Sequence, residues 1–237
     1  MAQGPGQQAR PVIKKPAALA EAVTAALQPL ADKERAVAMA AYMQEHFAFL
    51  GIATPRRRKA VHSLLRSYEG DPLAAADILW HRREREYQYV ACDLLAMRAQ
   101  TLAPDALEFL LALAQRKSWW DTVDNLVKVA GVQVQRQPSL AARMDALIHD
   151  EDFWLRRIAL LHQLGWKEKT DEKRLFRYCL QQAGEKEFFI RKAIGWALRD
   201  YARHAPAAVA DFLVHNGAVL SPLSRREAGK HLQGGEA

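Results

Sequence analysis

The stretch Lys117-Ser118-Trp119-Trp120-Asp121-Thr122-Val123-Asp124-Asn125-Leu126 lies near the middle of the 237-residue chain. With Ser118 as its N-cap, the pattern predicts a helix that continues through Ala130. Apolar side chains then recur at helical spacing on one face, which we expect to pack against a core. These side chains belong to Trp119, Val123, Leu126, Val127 and Ala130. The stretch therefore predicts an amphipathic helix of a globular protein.

Trp120 and Asp124 do not belong to that apolar face. They are four residues apart, so they share another face, about 100° from the core side. An aromatic ring beside an acid has no packing reason to be there, which indicates a functional site. The alternative for Asp124 is a surface acid that pairs with Lys128 at i+4. Asp121, by contrast, completes a Ser-x-x-Asp pattern with Ser118 and is predicted to cap the first turn.

Helical periodicity covers most of the remaining chain, and no alternating stretch predicts a β-strand. Thr54 is predicted to be the N-cap of a helix with Pro55 at its first position. The predicted helices span residues 18–27, 34–47, 56–70, 72–80, 84–99, 104–116, 118–134, 138–148, 152–165, 172–183, 187–203, 206–214 and 221–232. Residues 1–14 lack periodicity and are expected to form a disordered tail, with 15–237 as a single domain. The fold class is therefore predicted to be all-α.

The longer helices share a repeat, in which a bulky residue stands near each start. The members are Pro55, Tyr87, Trp120, Trp154, Phe189 and Leu223, at steps of 32, 33, 34, 35 and 34 residues. Two helices per step of this size predict an α-solenoid, and degenerate HEAT-like pairs fit better than tetratricopeptide repeats. Because equivalent helices line one concave surface, we expect the Trp120/Asp124 face to lie beside Trp154/Arg157 and Trp196.

The predicted helix 187–203 places an indole on a basic face. Its apolar stripe consists of Ile190, Ala193, Ile194, Ala197, Leu198 and Tyr201. Trp196 instead shares a face with Lys192, Arg199 and Arg203. Partly buried packing is the alternative for this tryptophan, but its repeat-related position beside Trp120 and one acid favours a functional role.

Two basic clusters open helices at equivalent repeat positions. Arg56-Arg57-Arg58-Lys59 follows Thr54, and Arg225-Arg226 precedes Lys230. Backbone N–H groups at a helix start favour phosphate, and a row of such starts would follow a sugar-phosphate backbone. Solvated helix faces are the alternative, and the sequence leaves both open.

The composition is moderately basic, with 34 Lys and Arg against 27 Asp and Glu, a formal net charge of +7 and a pI near 9.5. This excess suits a polyanionic partner such as nucleic acid or a membrane surface. Cys92 and Cys179 lie in helical patterns and are expected to be buried thiols. No metal-type Cys/His spacing, P-loop or dinucleotide fingerprint occurs, so neither a metal nor a cofactor is expected. The sequence contains no signal-type or membrane-spanning apolar run, so a cytoplasmic location is expected.

Four stretches together resemble the AlkD family of bacterial DNA alkylation-repair glycosylases. They are Gly51-Ile52-Ala53-Thr54-Pro55, Ser118-Trp119-Trp120-Asp121-Thr122-Val123-Asp124, Phe188-Phe189-Ile190-Arg191-Lys192-Ala193-Ile194-Gly195-Trp196 and Leu223-Ser224-Arg225-Arg226-Glu227-Ala228. The resemblance extends from about Leu30 to Leu232, with the motifs in the family's order. It implies a HEAT-like solenoid that binds duplex DNA in a concave basic cleft as a nucleoid-associated monomer, away from membranes.

The same resemblance assigns candidate site residues. It implies that Asp124 is the catalytic acid, Trp120 and Trp196 its aromatic partners, and Arg157 the active-site arginine, which would hold a phosphate. Arg156 stands where a neutral polar residue is usual, so Arg156 and Arg157 are both candidates for facing the DNA. Together with the basic clusters, the predicted DNA-binding set is Tyr42, Thr54, Arg57, Arg58, Arg156, Lys192, Arg225, Arg226 and Lys230.

The activity that the resemblance implies is hydrolysis of the N-glycosidic bond of cationic purines of the 3-methyladenine and 7-methylguanine type. Such a base leaves neutral, so the developing sugar cation needs help more than the base does. A lone carboxylate serves that need, and indole faces attract the cation. No deep base-flipping pocket is expected. The alternative is a non-catalytic HEAT-repeat scaffold that binds DNA structures or a protein.

Overall fold

The structure, a computed structural model, describes residues 12–232. Within this range the chain is all-α, as predicted, with thirteen α-helices and no β-strand. Most of the predicted tail, residues 1–11, lies outside the described residues. Ile13, which the prediction also assigns to the tail, pairs with Tyr68 through an isolated backbone bridge. None of the helices described is long and apolar enough to cross a membrane.

The described chain consists of two compact units, residues 12–98 and 99–232. The first contains α1 (Pro16–Leu27), α2 (Lys33–Tyr42), α3 (Thr54–Ser67), α4 (Pro72–His81) and α5 (Arg85–Arg98). The second contains α6 (Ala106–Ala114), α7 (Trp120–Arg136), α8 (Ala141–Leu147), α9 (Phe153–Leu161), α10 (Glu172–Gln181), α11 (Phe188–Ala202), α12 (Pro206–Asn216) and α13 (Pro222–Ala228). Short 3₁₀ segments span Gln28–Leu30, Pro138–Leu140, Lys167–Lys169 and Gly229–His231. That residues 15–237 form a single domain stays a prediction.

The helical repeat of the sequence is present in the structure. Each of the six bulky marker residues lies within the first three residues of a helix, and these helices are α3, α5, α7, α9, α11 and α13. Every second helix from α3 onward therefore begins at the repeat position, which confirms a helical-repeat architecture.

In the first unit, a buried carboxylate holds the turn before α3. Glu86 of α5 accepts hydrogen bonds from the backbone N–H groups of Leu50, Gly51 and Ile52, at 2.9, 2.9 and 3.0 Å. Gly51 has φ +85°, and a Cβ there would overlap the carbonyl oxygen of Asp32. The turn therefore requires glycine and fixes where α3 begins.

Two predicted helix boundaries in this unit are wrong. The helix predicted over 34–47 ends at Tyr42, because Gln44 and Glu45 adopt left-handed backbone conformations. Thr54 is the first helical residue of α3 rather than its cap, and Ala53 occupies the N-cap position without a side-chain hydrogen bond.

The start of α7 also differs from the prediction. Trp119, in extended backbone conformation and without a side-chain capping hydrogen bond, is the N-cap, so the prediction of Ser118 as the N-cap is wrong. Asp121 lies in the first turn, where a negative charge is favourable, and is buried. Trp119 is half-buried instead of lying in the core. The rest of the predicted core face is confirmed, with Val123, Leu126, Val127 and Ala130 fully buried.

Two glycines allow close helix packing in the second unit. A Cβ at Gly131 of α7 would overlap the carbonyl oxygen of His162, which follows α9. A Cβ at Gly195 of α11 would overlap the Cβ of Glu227 and lie 2.8 Å from the carbonyl oxygen of Ser224, both in α13. Cys92, in the first unit, and Cys179 are buried free thiols, as predicted.

Candidate active site

Side chains of α7, α9 and α11 line one cavity of about 360 Å³ in the second unit. The lining residues are Trp120, Asp124, Arg157, Phe188, Phe189, Lys192, Trp196 and Arg199. All four residues predicted to be catalytic are among them. Equivalent helices of three successive repeats therefore bring together Asp124, Arg157 and Trp196, which are 33 to 72 positions apart in sequence.

The centre of this cavity is an ion pair between Asp124 and Arg157. Arg157 donates from Nε to Oδ1 at 2.8 Å and from Nη2 to Oδ2 at 2.9 Å, which makes the pair bidentate. Its third nitrogen, Nη1, donates to the carbonyl oxygen of Phe189 at 2.5 Å. The side chain of Arg157 is 3% exposed, whereas that of Asp124 is 17% exposed. The arginine thus orients the carboxylate, and its role in holding a phosphate stays a prediction.

The two predicted indoles flank this ion pair. Trp120 lies one helical turn before Asp124 on α7, and Trp196 lies on α11; both are half-buried. The Cζ atom of Arg157 lies 5.9 Å from the ring centroid of Trp196 and 5.9 Å from that of Phe189. Aromatic surface and one carboxylate therefore meet in the same cavity.

An aromatic cluster packs against Phe189 of the cavity lining. Trp154 lies 4.8 Å from Phe189 and 4.6 Å from Phe153 between ring centroids, and Trp119 lies 5.4 Å from Phe189. Trp154 is buried in this cluster and does not line the cavity, whereas Arg157 does. The cluster instead stiffens the segment whose carbonyl group holds Arg157.

A cationic group forms another part of the lining. Lys192 and Arg199 of α11 both bind Glu227 of α13, from Lys192 Nζ to Oε1 at 2.7 Å and from Arg199 Nη1 to Oε2 at 2.9 Å. Lys230 Nζ binds Oε1 as well, at 2.8 Å. Burial raises the pKa of Glu227, but hydrogen bonds from Lys192 and Lys230 outweigh it and hold the pKa at about 2. Glu227 is therefore a carboxylate at neutral pH.

Arg156 does not line the cavity and forms hydrogen bonds outside it. It donates to the carbonyl oxygens of Asp150 and Glu151, at 2.7 and 3.0 Å, and to the carboxylate of Glu185 at 2.6 Å. These bonds fix the turn before α9. Of the two adjacent arginines, Arg157 is the one at the candidate active site.

In the first unit, the predicted DNA-binding residues differ in exposure. Arg57 is 4% exposed, pairs with Asp93 at 3.2 Å and lies over the ring of Tyr89, so little of its side chain can reach a ligand, and its contact with DNA stays a prediction. Arg58 also pairs with Asp93, at 2.9 Å, but is exposed. Thr54 is exposed at the start of α3, and Tyr42, at the end of α2, is 73% exposed.

Arg225, Arg226 and Lys230, the remaining predicted basic residues, are exposed on α13 and the 3₁₀ turn after it. The sequence prediction did not include Phe188, Phe189 and Arg199 in the site. Sequence features could have identified all three. Arg199 shares a helix face with Lys192 and Trp196, and the two phenylalanines lie at the repeat position. Glu227 had no such signal, because only tertiary packing brings it to Lys192.

The chain is similar to known proteins in both sequence and fold. A solved structure described as a predicted DNA alkylation repair enzyme from Enterococcus faecalis has 35% sequence identity and a TM-score of 0.79, and covers 86% of this chain and 97% of that chain. No curated protein matches the chain significantly. The family model described as DNA alkylation repair enzyme matches residues 23–232. The chain therefore belongs to the DNA alkylation repair enzyme family.

Proposed function

We propose that the protein is a DNA glycosylase that hydrolyses the N-glycosidic bond of cationic alkylated purines, such as 3-methyladenine and 7-methylguanine, in duplex DNA. The observation that carries the proposal is the Asp124 carboxylate, fixed by Arg157, in one cavity with the indoles of Trp120 and Trp196. The family provides the substrate class, alkylated DNA, and the cavity provides groups suited to breaking this bond.

The substrate itself makes this reaction accessible to a site with one carboxylate. An N3- or N7-alkylated purine is cationic, so the electron pair of the C1′–N bond moves onto the base, which leaves neutral without a general acid. The deoxyribose becomes oxocarbenium-like, with positive charge near C1′. Water then adds to C1′ and releases its proton to solvent. The catalytic requirement is therefore to stabilise a transient sugar cation.

Asp124 meets this requirement through its fixed orientation. Because Asp124 is more exposed to the cavity than Arg157, the negative end of the ion pair would face the sugar, and the fixed pair would need no reorganisation during the reaction. The faces of Trp120 and Trp196 attract the positive sugar and base. A cavity of about 360 Å³ is at the small end of ligand sites, which supports action without a deep pocket for an extruded base.

Replacement of the carboxylate tests the proposal. We expect Asp124→Asn to release 7-methylguanine from methylated duplex about a hundredfold more slowly than the wild type in single-turnover assays, because it loses the charge that faces the sugar. The matched control is Asp145→Asn in α8: Asp145 also binds two arginines, Arg174 and Arg177, but does not line the cavity. Thermal unfolding of both variants measures any loss of folding.

Two results contradict the proposal. One is a folded wild type that releases no alkylated base from methylated duplex DNA. The other is an Asp124→Asn variant that is as fast as the wild type. An effect of Asp145→Asn equal to that of Asp124→Asn would assign the loss to stability rather than to the transition state.

The alternative, a non-catalytic scaffold for a protein partner, differs in its response to salt. Lys and Arg contacts to phosphates release counterions, so three such contacts would weaken duplex binding about fortyfold between roughly 50 and 200 mM salt. We expect a loss of at least about tenfold, measured by fluorescence anisotropy with undamaged duplex. Affinity that barely changes over this range would favour the protein-binding alternative.

A further inference from the structure

Three cations converge on one carboxylate at the edge of the candidate active site. Glu227 lies on α13 against Gly195 of α11 and is 4% exposed, whereas Lys192, Arg199 and Lys230 all keep solvent-accessible surface. A ligand from solvent can therefore meet the cations but not the carboxylate. Three positive charges and one negative charge leave the group with a net charge of +2 at neutral pH, which selects an anion.

Two of these cations also line the cavity that contains Asp124. Lys192 and Arg199 are seven residues apart on α11, and Trp196 lies between them on the same face. Their backbone positions are separated by about 10 Å along the helix axis. Glu227 nevertheless binds both head groups, through Oε1 and Oε2 respectively, and so draws two distant side chains together.

Bringing the head groups of Lys192 and Arg199 together costs free energy, and their ion pairs with Glu227 offset this cost. Two like charges repel each other, and long side chains lose rotamer freedom when they are held in one place. Without Glu227, Lys192 and Arg199 would spread into solvent. With it, each uses one nitrogen for the ion pair and keeps further N–H donors on a head group that is already fixed.

We propose that Glu227 is a positioning residue that preforms a phosphate subsite from Lys192 and Arg199, and that this subsite takes the backbone phosphate next to the nucleotide at Asp124. The inference rests on the proposed function, because it takes DNA as the ligand of this cavity. Gly195 is the local feature that permits the arrangement, since any larger residue would displace Glu227 from α11.

The isosteric substitution Glu227→Gln, which removes the carboxylate charge, separates positioning from general attraction. It raises the charge of the group from +2 to +3, so binding of undamaged duplex is expected to stay equal or become tighter. Single-turnover release of 7-methylguanine is expected to fall about tenfold, because the subsite is no longer preformed. Asp145→Asn is the matched control: Asp145 accepts bonds from Arg174, Arg177 and Tyr178, and its pKa is about 2, lowered by the bonds from Arg174 and Tyr178 against the effect of burial.

The phosphate partner is tested by removing its charge. Single uncharged methylphosphonate linkages are placed at each of the four positions nearest the lesion, and release is measured for the wild type, Glu227→Gln and Lys192→Gln. At one linkage the wild type should lose about tenfold, while both variants should lose much less, because they have already lost the contact. If, at every linkage, the methylphosphonate slows the two variants by the same factor as it slows the wild type, the assignment of the phosphate is overturned.

Other outcomes distinguish this inference from the proposed function. A Glu227→Gln rate within about twofold of the wild type, or an equal loss in Asp145→Asn, overturns the positioning role. If the wild type releases no base, the proposed function fails, and the subsite is judged by binding alone, with duplex that carries tetrahydrofuran in place of the lesion nucleotide. Weaker binding on methylphosphonate substitution in the wild type but not in Glu227→Gln then supports the subsite, and equal weakening overturns it.

Discussion

In the ion pair of the candidate site, Asp124 is more exposed than Arg157, so the negative partner is the one more open to the cavity. A guanidinium fork that donates from Nε and Nη2 fixes both carboxylate oxygens, and the third bond, to the Phe189 carbonyl, ties the fork to the start of α11. A lysine could supply the charge but not the fork. The orientation of Asp124 therefore depends on the shape of the arginine as well as on its charge.

Arg157→Lys separates charge from shape. We expect base release to slow by about a hundredfold, because the carboxylate loses its fixed orientation. Binding of undamaged duplex is expected to stay within about twofold, since the net charge is unchanged. Single-turnover release and fluorescence anisotropy measure the two effects. If Arg157→Lys is as fast as the wild type, orientation of Asp124 by the guanidinium fork is not needed.

Much of the site could be predicted from the sequence because its members repeat. Trp120 and Asp124 stand off the apolar stripe of one helix, and Trp196 stands off that of another. The sequence could not show what each charged residue binds. Arg57 is buried and paired with Asp93, Arg156 donates to backbone carbonyl groups, and Arg157 is buried and paired with Asp124. These differences arise only from tertiary packing.

At the scale of helices, close packing of α11 on α13 sets the position of the cationic group. Every predicted helix has a counterpart among the described residues, since apolar spacing marks helix interiors. Several ends were not predicted, as at Gln44 and Glu45 after α2, at Trp119 before α7, and at Leu161, where the helix predicted over 152–165 ends. The sequence also could not show that position 195 requires glycine, because the requirement arises from the packing of α13 against it.

Gly195→Ala tests this packing. The added methyl group would overlap the Cβ of Glu227, so α13 must shift, and we expect unfolding free energy to fall by about 1–3 kcal/mol. Gly229→Ala is the matched control, because no atom lies within 4 Å of a Cβ at that position. Thermal or urea unfolding measures both variants. Equal stability of Gly195→Ala and the wild type would mean that α11 and α13 do not require this close approach.

For the molecule as a whole, stability should depend on pH through a buried histidine. Burial lowers the pKa of His162 to about 4, although its Nδ1 lies 2.6 Å from the carbonyl oxygen of Ala159. The neighbouring Arg174 lowers it further, and Asp145 and Asp171 raise it. The folded protein therefore keeps this ring neutral at pH values where an unfolded chain would protonate it.

The sign of the pH effect follows from this difference. The contribution of His162 is fully present above about pH 6.5 and is lost as the pH falls to about 4, a loss of about 3 kcal/mol. Glu227 and Asp145, whose pKa values are about 2, lose their contributions only below their ordinary values of 4.5 and 3.8. Urea unfolding between pH 7 and pH 4.5 should thus show a decline that His162→Gln flattens. An unchanged slope in that variant would assign the decline to other groups.

The buried carboxylate of Glu86 has a consequence for how the first unit folds. Its three acceptor bonds join α5 to a turn that precedes it by more than thirty residues. If α5 packs without the turn, a charge is enclosed without partners; if the turn forms without α5, three backbone N–H groups lack acceptors. Forming either segment without the other is therefore unfavourable, so we expect this link to make the turn and α5 form together, as a long-range step in a unit of otherwise local helices.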